Sequence, residues 1–326
     1  MRHPPSLLTG VPVAPPAGHR LGSRSATSPG LVVFVSGERA DSSSLPGWAG
    51  PRLSNEESMD LKLSGHVAVV TGASKGIGLA VTRTLRAEGV RVVAASRKSS
   101  PELEALASPD LVHLSVDLMD QDAPGQVVAR ANEAFGGLDI LVNNAGGPPP
   151  GVDLPRSSFF DATDADWHAI FEFNLFSAVR AIRAAIPLML ERGAGSIINI
   201  SSGLARRPSP FNPEYGAAKA GMTNLTKVLS EEFGPQGVRV NTVSPGPVRT
   251  AWWTDEGGVA DKFAAQAGID REAVMNQLAP EMMNLTTGRL SDPQDIADVV
   301  ALLASPRSAN TTGADFAIDS GFLKEI

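Results

Sequence analysis

From Val67 onward the chain alternates two kinds of hydrophobic pattern. Val67–Val70 is an unbroken apolar run of strand length, and after a glycine-rich turn the run from Ile77 to Ala87 is apolar on one helical face. The same alternation predicts strands at 90–95, 111–116, 138–142, 196–200, 238–243 and 314–318, and helices at 123–135, 167–190, 213–233 and 293–304. Continuous apolar strands need cover on both faces, and one-sided helices supply it. The implied architecture is α/β: one doubly wound parallel sheet of about seven strands, with helices on both faces and right-handed crossovers.

Residues 1–58 show no such period. Proline, glycine and serine recur there (Pro4-Pro5, Pro15-Pro16, Ser42-Ser43-Ser44), which marks a low-complexity or disordered extension ahead of one domain at 59–326. The apolar run Leu31–Val35 is far shorter than the roughly 20 residues of a membrane span. Arg2, Arg20 and Arg24 among serines faintly resemble an organelle transit segment. The simpler expectation is that Met59 is the natural start and the rest an upstream extension.

Composition narrows the chemistry. A net charge of -7 argues against a general nucleic-acid or anionic-membrane binder. There is no cysteine, so thiol catalysis, iron–sulfur ligation and disulfides are excluded, and a reducing, cytoplasmic setting is expected. The five histidines, at 3, 19, 66, 113 and 168, include no pair at metal-ligand spacing, so no metal site is expected.

In doubly wound sheets ligands bind beyond the carboxyl ends of the strands. After the first strand comes Thr71-Gly72-Ala73-Ser74-Lys75-Gly76-Ile77-Gly78, where glycines permit a tight turn and a close phosphate at a helix N-terminus. Its spacing is GxxxGxG, different from the common GxGxxG dinucleotide fingerprint. Gly72-Ala73-Ser74-Lys75-Gly76 also matches the G-x-S-x-G elbow of hydrolases, but no histidine follows His168 to complete a triad. At the second strand's end, Ser96 and Arg97 stand where an acid would hold the ribose of NAD. Arg97 with Lys75 could neutralise a 2′-phosphate, so NADP(H) is the expected cofactor and NAD(H) the alternative. Asp117 could accept from an adenine amine, or simply form a turn. Tyr215 is the only tyrosine in 326 residues, and Lys219 lies on its helix face at i+4. A nearby ammonium would draw the phenol down toward working pH, as acid–base chemistry needs. Alone, the pair also reads as a surface tyrosine beside a solvated lysine.

Together these motifs resemble the short-chain dehydrogenases/reductases over residues 61–326. The loop 71–78 is similar to that family's coenzyme loop, and Asn143-Asn144-Ala145-Gly146 to its fourth-strand motif. Tyr215-x-x-x-Lys219 is similar to its catalytic pair, with Ser202 thirteen residues earlier and Asn174 completing the set. Ser244-Pro245-Gly246-Pro247-Val248-Arg249-Thr250 is similar to its nicotinamide-side loop. The resemblance implies a Rossmann-type fold and hydride transfer between a nicotinamide and a carbonyl or secondary alcohol.

In that scheme Tyr215 exchanges the proton and Ser202 holds the carbonyl oxygen. Lys219 lowers the phenol's pKa and binds the nicotinamide ribose, and Asn174 positions a water. Gly72, Ser74, Lys75, Gly76, Ile77, Gly78, Ser96, Arg97, Asp117, Asn144, Ala145, Gly146, Pro245, Gly246, Val248 and Thr250 would line the cofactor. Ser202 could instead merely end a strand, and Asn174 satisfy buried backbone. A lid from Trp252-Trp253 to about Leu285, with Met275, Met282 and Met283, either meets a hydrophobic substrate or packs as core. Family members act on oxoacyl thioesters, steroids, sugars and ketones, and nothing here selects one. A homotetramer or homodimer through the two long helices is also implied. A non-catalytic dinucleotide-binding regulator is the rival reading.

Overall fold

A computed structural model describes residues 59–325, so the expectations for 1–58 lie outside the described residues. Along the chain run β1 (Val67–Thr71), α1 (Gly76–Ala87), β2 (Arg91–Ser96), α2 (Pro101–Glu104), β3 (Leu111–Ser115), α3 (Ala123–Phe135) and β4 (Ile140–Asn143). Next come α4 (Asp164–Phe171), α5 (Ser177–Arg192), β5 (Gly195–Ile200), α6 (Pro213–Phe233) and β6 (Val238–Pro245). Four short helices follow, α7 (Ala251–Thr254), α8 (Val259–Ala267), α9 (Arg271–Ala273) and α10 (Ala279–Met282), then α11 (Pro293–Ala304) and β7 (Asp315–Ile318). The seven strands are ordered β3-β2-β1-β4-β5-β6-β7, and every pairing is parallel. The expected Rossmann-type doubly wound sheet is therefore present.

Strand pleating explains why the strands read as unbroken apolar runs. Every residue of β1 is buried. Ala68 and Val70 pack on Leu79, Val81 and Leu85 of α1 and Ile296 and Val300 of α11. Val67 and Val69 face Val127 and Ala131 of α3 and Ile182, Ala185 and Met189 of α5. Each of these valine, leucine, isoleucine and methionine side chains contributes about 1.5–3 kcal/mol on burial. Between β1 and β4 the winding reverses, which opens a crevice at the carboxyl ends of those strands.

Two elements differ from expectation. The helix predicted at 167–190 starts earlier, at a capping box formed by Thr163 and Asp166, and is interrupted by a π-helical turn at Glu172–Phe176. The combined run Asp164–Arg192 has the length and hydropathy of a membrane span, but Ala181, Ile182, Ala185 and Met189 use its apolar stripe against the sheet. The segment 251–283 is helical, with a small core of its own around Trp253, Val259, Val274, Met275 and Ala279.

Candidate active site

The crevice is built from close backbone approach. A Cβ on Gly78 would lie 2.2 Å from Gly72 O and 2.5 Å from Asn144 Nδ2, so only glycine lets α1 start this near β4. Asn144 Nδ2 donates to Thr71 O at 2.8 Å, and the backbone N–H groups of Asn144 and Ala145 both donate to Thr71 Oγ1 at 3.0 Å. Thr71 and Asn144 thus rivet β1 to β4 beneath the glycine loop. The first turn of α1 holds no acidic residue and Lys75, its N-cap, forms no side-chain cap, so its backbone donors remain available to an anion. Thr250 Cγ2 would lie 3.3 Å from a Cβ on Gly76, which brings the loop after β6 to the same spot. Pro245 ends β6, Val248 is buried, and Gly246 has no room for a side chain because Asp319 Cα would stand 2.7 Å from its Cβ. Ile77 packs on the core cluster under α1.

Tyr215 stands in the first turn of α6, held there by Pro213 at the helix start. Ser202 stands near enough to its phenol to favour the charged form. Ser202 follows β5 and also caps the short 3-10 turn Gly203–Ala205, accepting from Leu204 N at 3.2 Å. One turn along α6, Lys219 is buried and its Nζ donates to Ile200 O at 2.8 Å. Asn174, at the centre of the π-turn and completely buried, donates to Gly147 O and Ile170 O and accepts from Gly147 N. A Cβ on Gly146 would lie 2.9 Å from both Asn174 Oδ1 and Lys219 Nζ. Glycine there lets the amide and the ammonium converge on the end of β4.

The electrostatics correct one expectation. Burial pushes the phenol up to about 12, and the neighbouring Ser202 side chain opposes that push. Tyr215 is half-buried as a residue, so water at its outer edge tempers the effect. Burial likewise pushes the Lys219 ammonium down to about 8. The ammonium does not draw the phenol down in this arrangement: Nζ lies 5.7 Å from the ring centroid and is directed to a backbone carbonyl, so desolvation dominates.

The remaining predicted residues are distributed around the crevice. Lys75 and Arg97 are both exposed, and Lys75 pairs with Asp255 at 3.3 Å, a bond from the glycine loop to the segment after α7. Ser96 Oγ bonds Lys98 O and His113 Nε2 at 2.9 Å each. Asp117 Oδ1 accepts from Met119 N, the turn-forming role weighed for it. Ser74 O accepts from Ser100 Oγ. Among the described residues His66, His113 and His168 are each bonded to other groups, so a Ser74 hydrolase site has no support. In the lid, Trp253 and Met275 are core and Met283 packs against them, while Trp252 and Met282 are exposed. No cluster of three metal-binding side chains occurs among the described residues. Sequence reasoning missed Arg156, Glu214 and Ser201. Ser201 Oγ donates to Lys219 O at 3.0 Å, a contact between separate elements that spacing does not reveal.

Residues 72–323 match a family model described as enoyl-(acyl carrier protein) reductase. The chain is 33% identical over 268 residues to an L-xylulose reductase of Bos taurus, covering 81% of this chain and 99% of that one. It is 32% identical to a 3-oxoacyl-(acyl-carrier-protein) reductase of Vibrio cholerae, covering 80% and 98%. Among solved structures, an L-sorbose reductase from Gluconobacter frateurii, complexed with NADPH and L-sorbose, superposes with a TM-score of 0.74 at 30% identity, covering 82% of this chain and all of that one. A crevice at the β1/β4 reversal, a glycine loop closed by a Gly78 with no room for a side chain, and matches spanning nearly the whole of those relatives lead to one conclusion: the chain belongs to the short-chain dehydrogenase/reductase family of oxidoreductases.

Proposed function

We propose that the protein is an NADP(H)-dependent oxidoreductase acting on a carbonyl or secondary alcohol, with Tyr215 as general acid and base. The observation that carries this reading is the convergence of buried Lys219 and Asn174 at Gly146, with the only tyrosine one helical turn from Lys219, its ring 5.7 Å from that ammonium, and Ser202 beside its phenol. The open helix start, brought close to the end of β4 by Gly78, fits a dinucleotide, which when bound supplies the hydride. Gly72, Ser74, Lys75, Gly76, Ile77 and Gly78 would cradle its phosphates. Asn144, Ala145, Gly146 and Asp117 would flank the adenosine side, and Pro245, Gly246, Val248 and Thr250 the nicotinamide side. Exposed Lys75 and Arg97, with Ser96 beside them, favour a 2′-phosphate, and the NADPH in the L-sorbose reductase supports that choice.

The chain's own groups account for the proton. With its pKa pushed up to about 12, Tyr215 is a protonated phenol at neutral pH, ready to donate to a carbonyl oxygen that Ser202 also holds. Lys219, near 8, stays cationic one helical turn along, where it can hold ribose hydroxyls. Asn174 fixes Gly147 and so the wall of the cleft. The reading extends to a homo-oligomer, supported by exposed Phe176 and Val228 on the two long helices.

The test is a panel of ketoses, 3-oxoacyl thioesters and simple ketones, each run with NADPH and with NADH. Turnover of at least one carbonyl with a clear NADPH preference is expected. Preference for NADH would overturn the roles of Lys75 and Arg97, and tight cofactor binding without any turnover would instead point to a regulator.

A further inference from the structure

Glu214, the residue before Tyr215, is 0% exposed. A carboxylate in a first helical turn is favourable to the helix dipole and normally sits in water. This one faces inward and meets Arg156, whose side chain is only 9% exposed and whose Nε lies 2.9 Å from Glu214 Oε1. Arg156 belongs to the segment that leaves β4 after Gly147. Its backbone N–H donates to Phe211 O at 2.7 Å, and its Nη2 lies 3.5 Å from Asp166 Oδ2 in the first turn of α4. One guanidinium therefore joins the β4–α4 segment, α4 and the start of α6.

The arrangement is poorly suited to stability alone. Arg156 Nη2, Asn212 Oδ1 and Glu214 Oε2 are all buried without a well-formed hydrogen bond, and replacing a buried ion pair by apolar side chains is often neutral or stabilising. Val152, Leu154, Ile170 and Ala218 already form an apolar cluster against Tyr215. The pair adds a fixed length and direction between the cleft wall and the turn that carries the phenol. We propose that Arg156 and Glu214 are positioning residues for Tyr215, pinning the β4–α4 segment to the first turn of α6 so that the phenol stays packed against Ser202. The proposal rests on Tyr215 being the acid–base group.

Because Tyr215 is the only tyrosine, the near-ultraviolet absorbance of its phenolate titrates one group in the full-length protein, with no substrate needed. Burial holds the phenol above the 10.0 of a free one, so Glu214→Gln and Arg156→Met should both lower the titration midpoint toward 10.0 as more water reaches the oxygen. Both should cut kcat for carbonyl reduction by about 10- to 100-fold while leaving the NADPH Kd unchanged. Arg156→Lys, the safer variant should Arg156→Met fail to fold, should shift both readouts in the same directions by less. Arg192→Met breaks the 2.8 Å pair with Asp139 at the opposite end of the sheet, and should lower Tm without moving midpoint or kcat. Opposite midpoint shifts in Glu214→Gln and Arg156→Met would mean that the pair acts through charge, and would overturn the proposal. Unchanged midpoints, or an unchanged kcat, would overturn it as well. Lowered midpoints in a protein whose wild type turns over no carbonyl would support the positioning and overturn the activity.

Discussion

Lys219 and Tyr215 are both shifted by the same cause in opposite directions, because burial disfavours whichever form is charged. For Lys219 this has a stability consequence of definite sign. The folded protein releases the lysine proton near pH 8, while the unfolded chain keeps it to 10.5. Below pH 8 the buried ammonium costs stability. Between pH 8 and 10.5 the unfolded state binds more protons, so stability rises with pH by about 3 kcal/mol at most. Denaturant unfolding of wild type and Lys219→Met across that window should show wild type gaining on the variant, and parallel curves would contradict the burial argument. Side-chain type and spacing singled out the residues proposed for proton transfer, Tyr215, Lys219, Ser202 and Asn174, and the structure brings Lys219 and Asn174 together at Gly146. The energetics of the site were not legible in the sequence. Spacing put an ammonium beside a phenol, but whether charge or desolvation wins depends on what surrounds both, here Ile200 O and the apolar cluster around Val152 and Ile170.

The regular elements followed from periodicity with errors of a few residues, because each strand is buried on both faces and each long helix on one. Periodicity is blind to a local irregularity. The π-turn at Glu172–Phe176 turns Asn174 inward to Gly147 at the cost of a regular helix, and an apolar pattern cannot register one extra residue in a turn. The segment 251–283 also escaped, since four short helices around Trp253 and Met275 give no sustained period. Phe176, at the end of the π-turn, and Val228, on α6, are 44% and 52% exposed. They belong to the two long helices through which assembly is proposed. Native mass spectrometry should find a dimer or tetramer that Phe176→Ser with Val228→Ser shifts toward monomer. A monomeric wild type would contradict the proposed assembly.

Across the whole molecule, the site is assembled from residues as far apart as Gly76 and Thr250, which stand side by side at the carboxyl edge of the sheet, where the winding reverses between β1 and β4. Strand-end loops were identifiable from sequence because topology alone sends their residues to one edge. Pairs such as Arg156 with Glu214, 58 positions apart, have no sequence signature: arginine in a loop and glutamate in a first turn each read as solvated. The proposed division of labour is then simple. The glycine loop and the β1–β4 rivet would hold a dinucleotide, and the start of α6 would hold the proton. Tyr215→Phe separates these two functions most directly, since it removes only the hydroxyl. Measured with NADPH and whichever carbonyl the wild type reduces, the variant should lose at least about 100-fold in kcat, with its NADPH Kd unchanged. Wild-type turnover in Tyr215→Phe would contradict the assignment of the proton to that phenol.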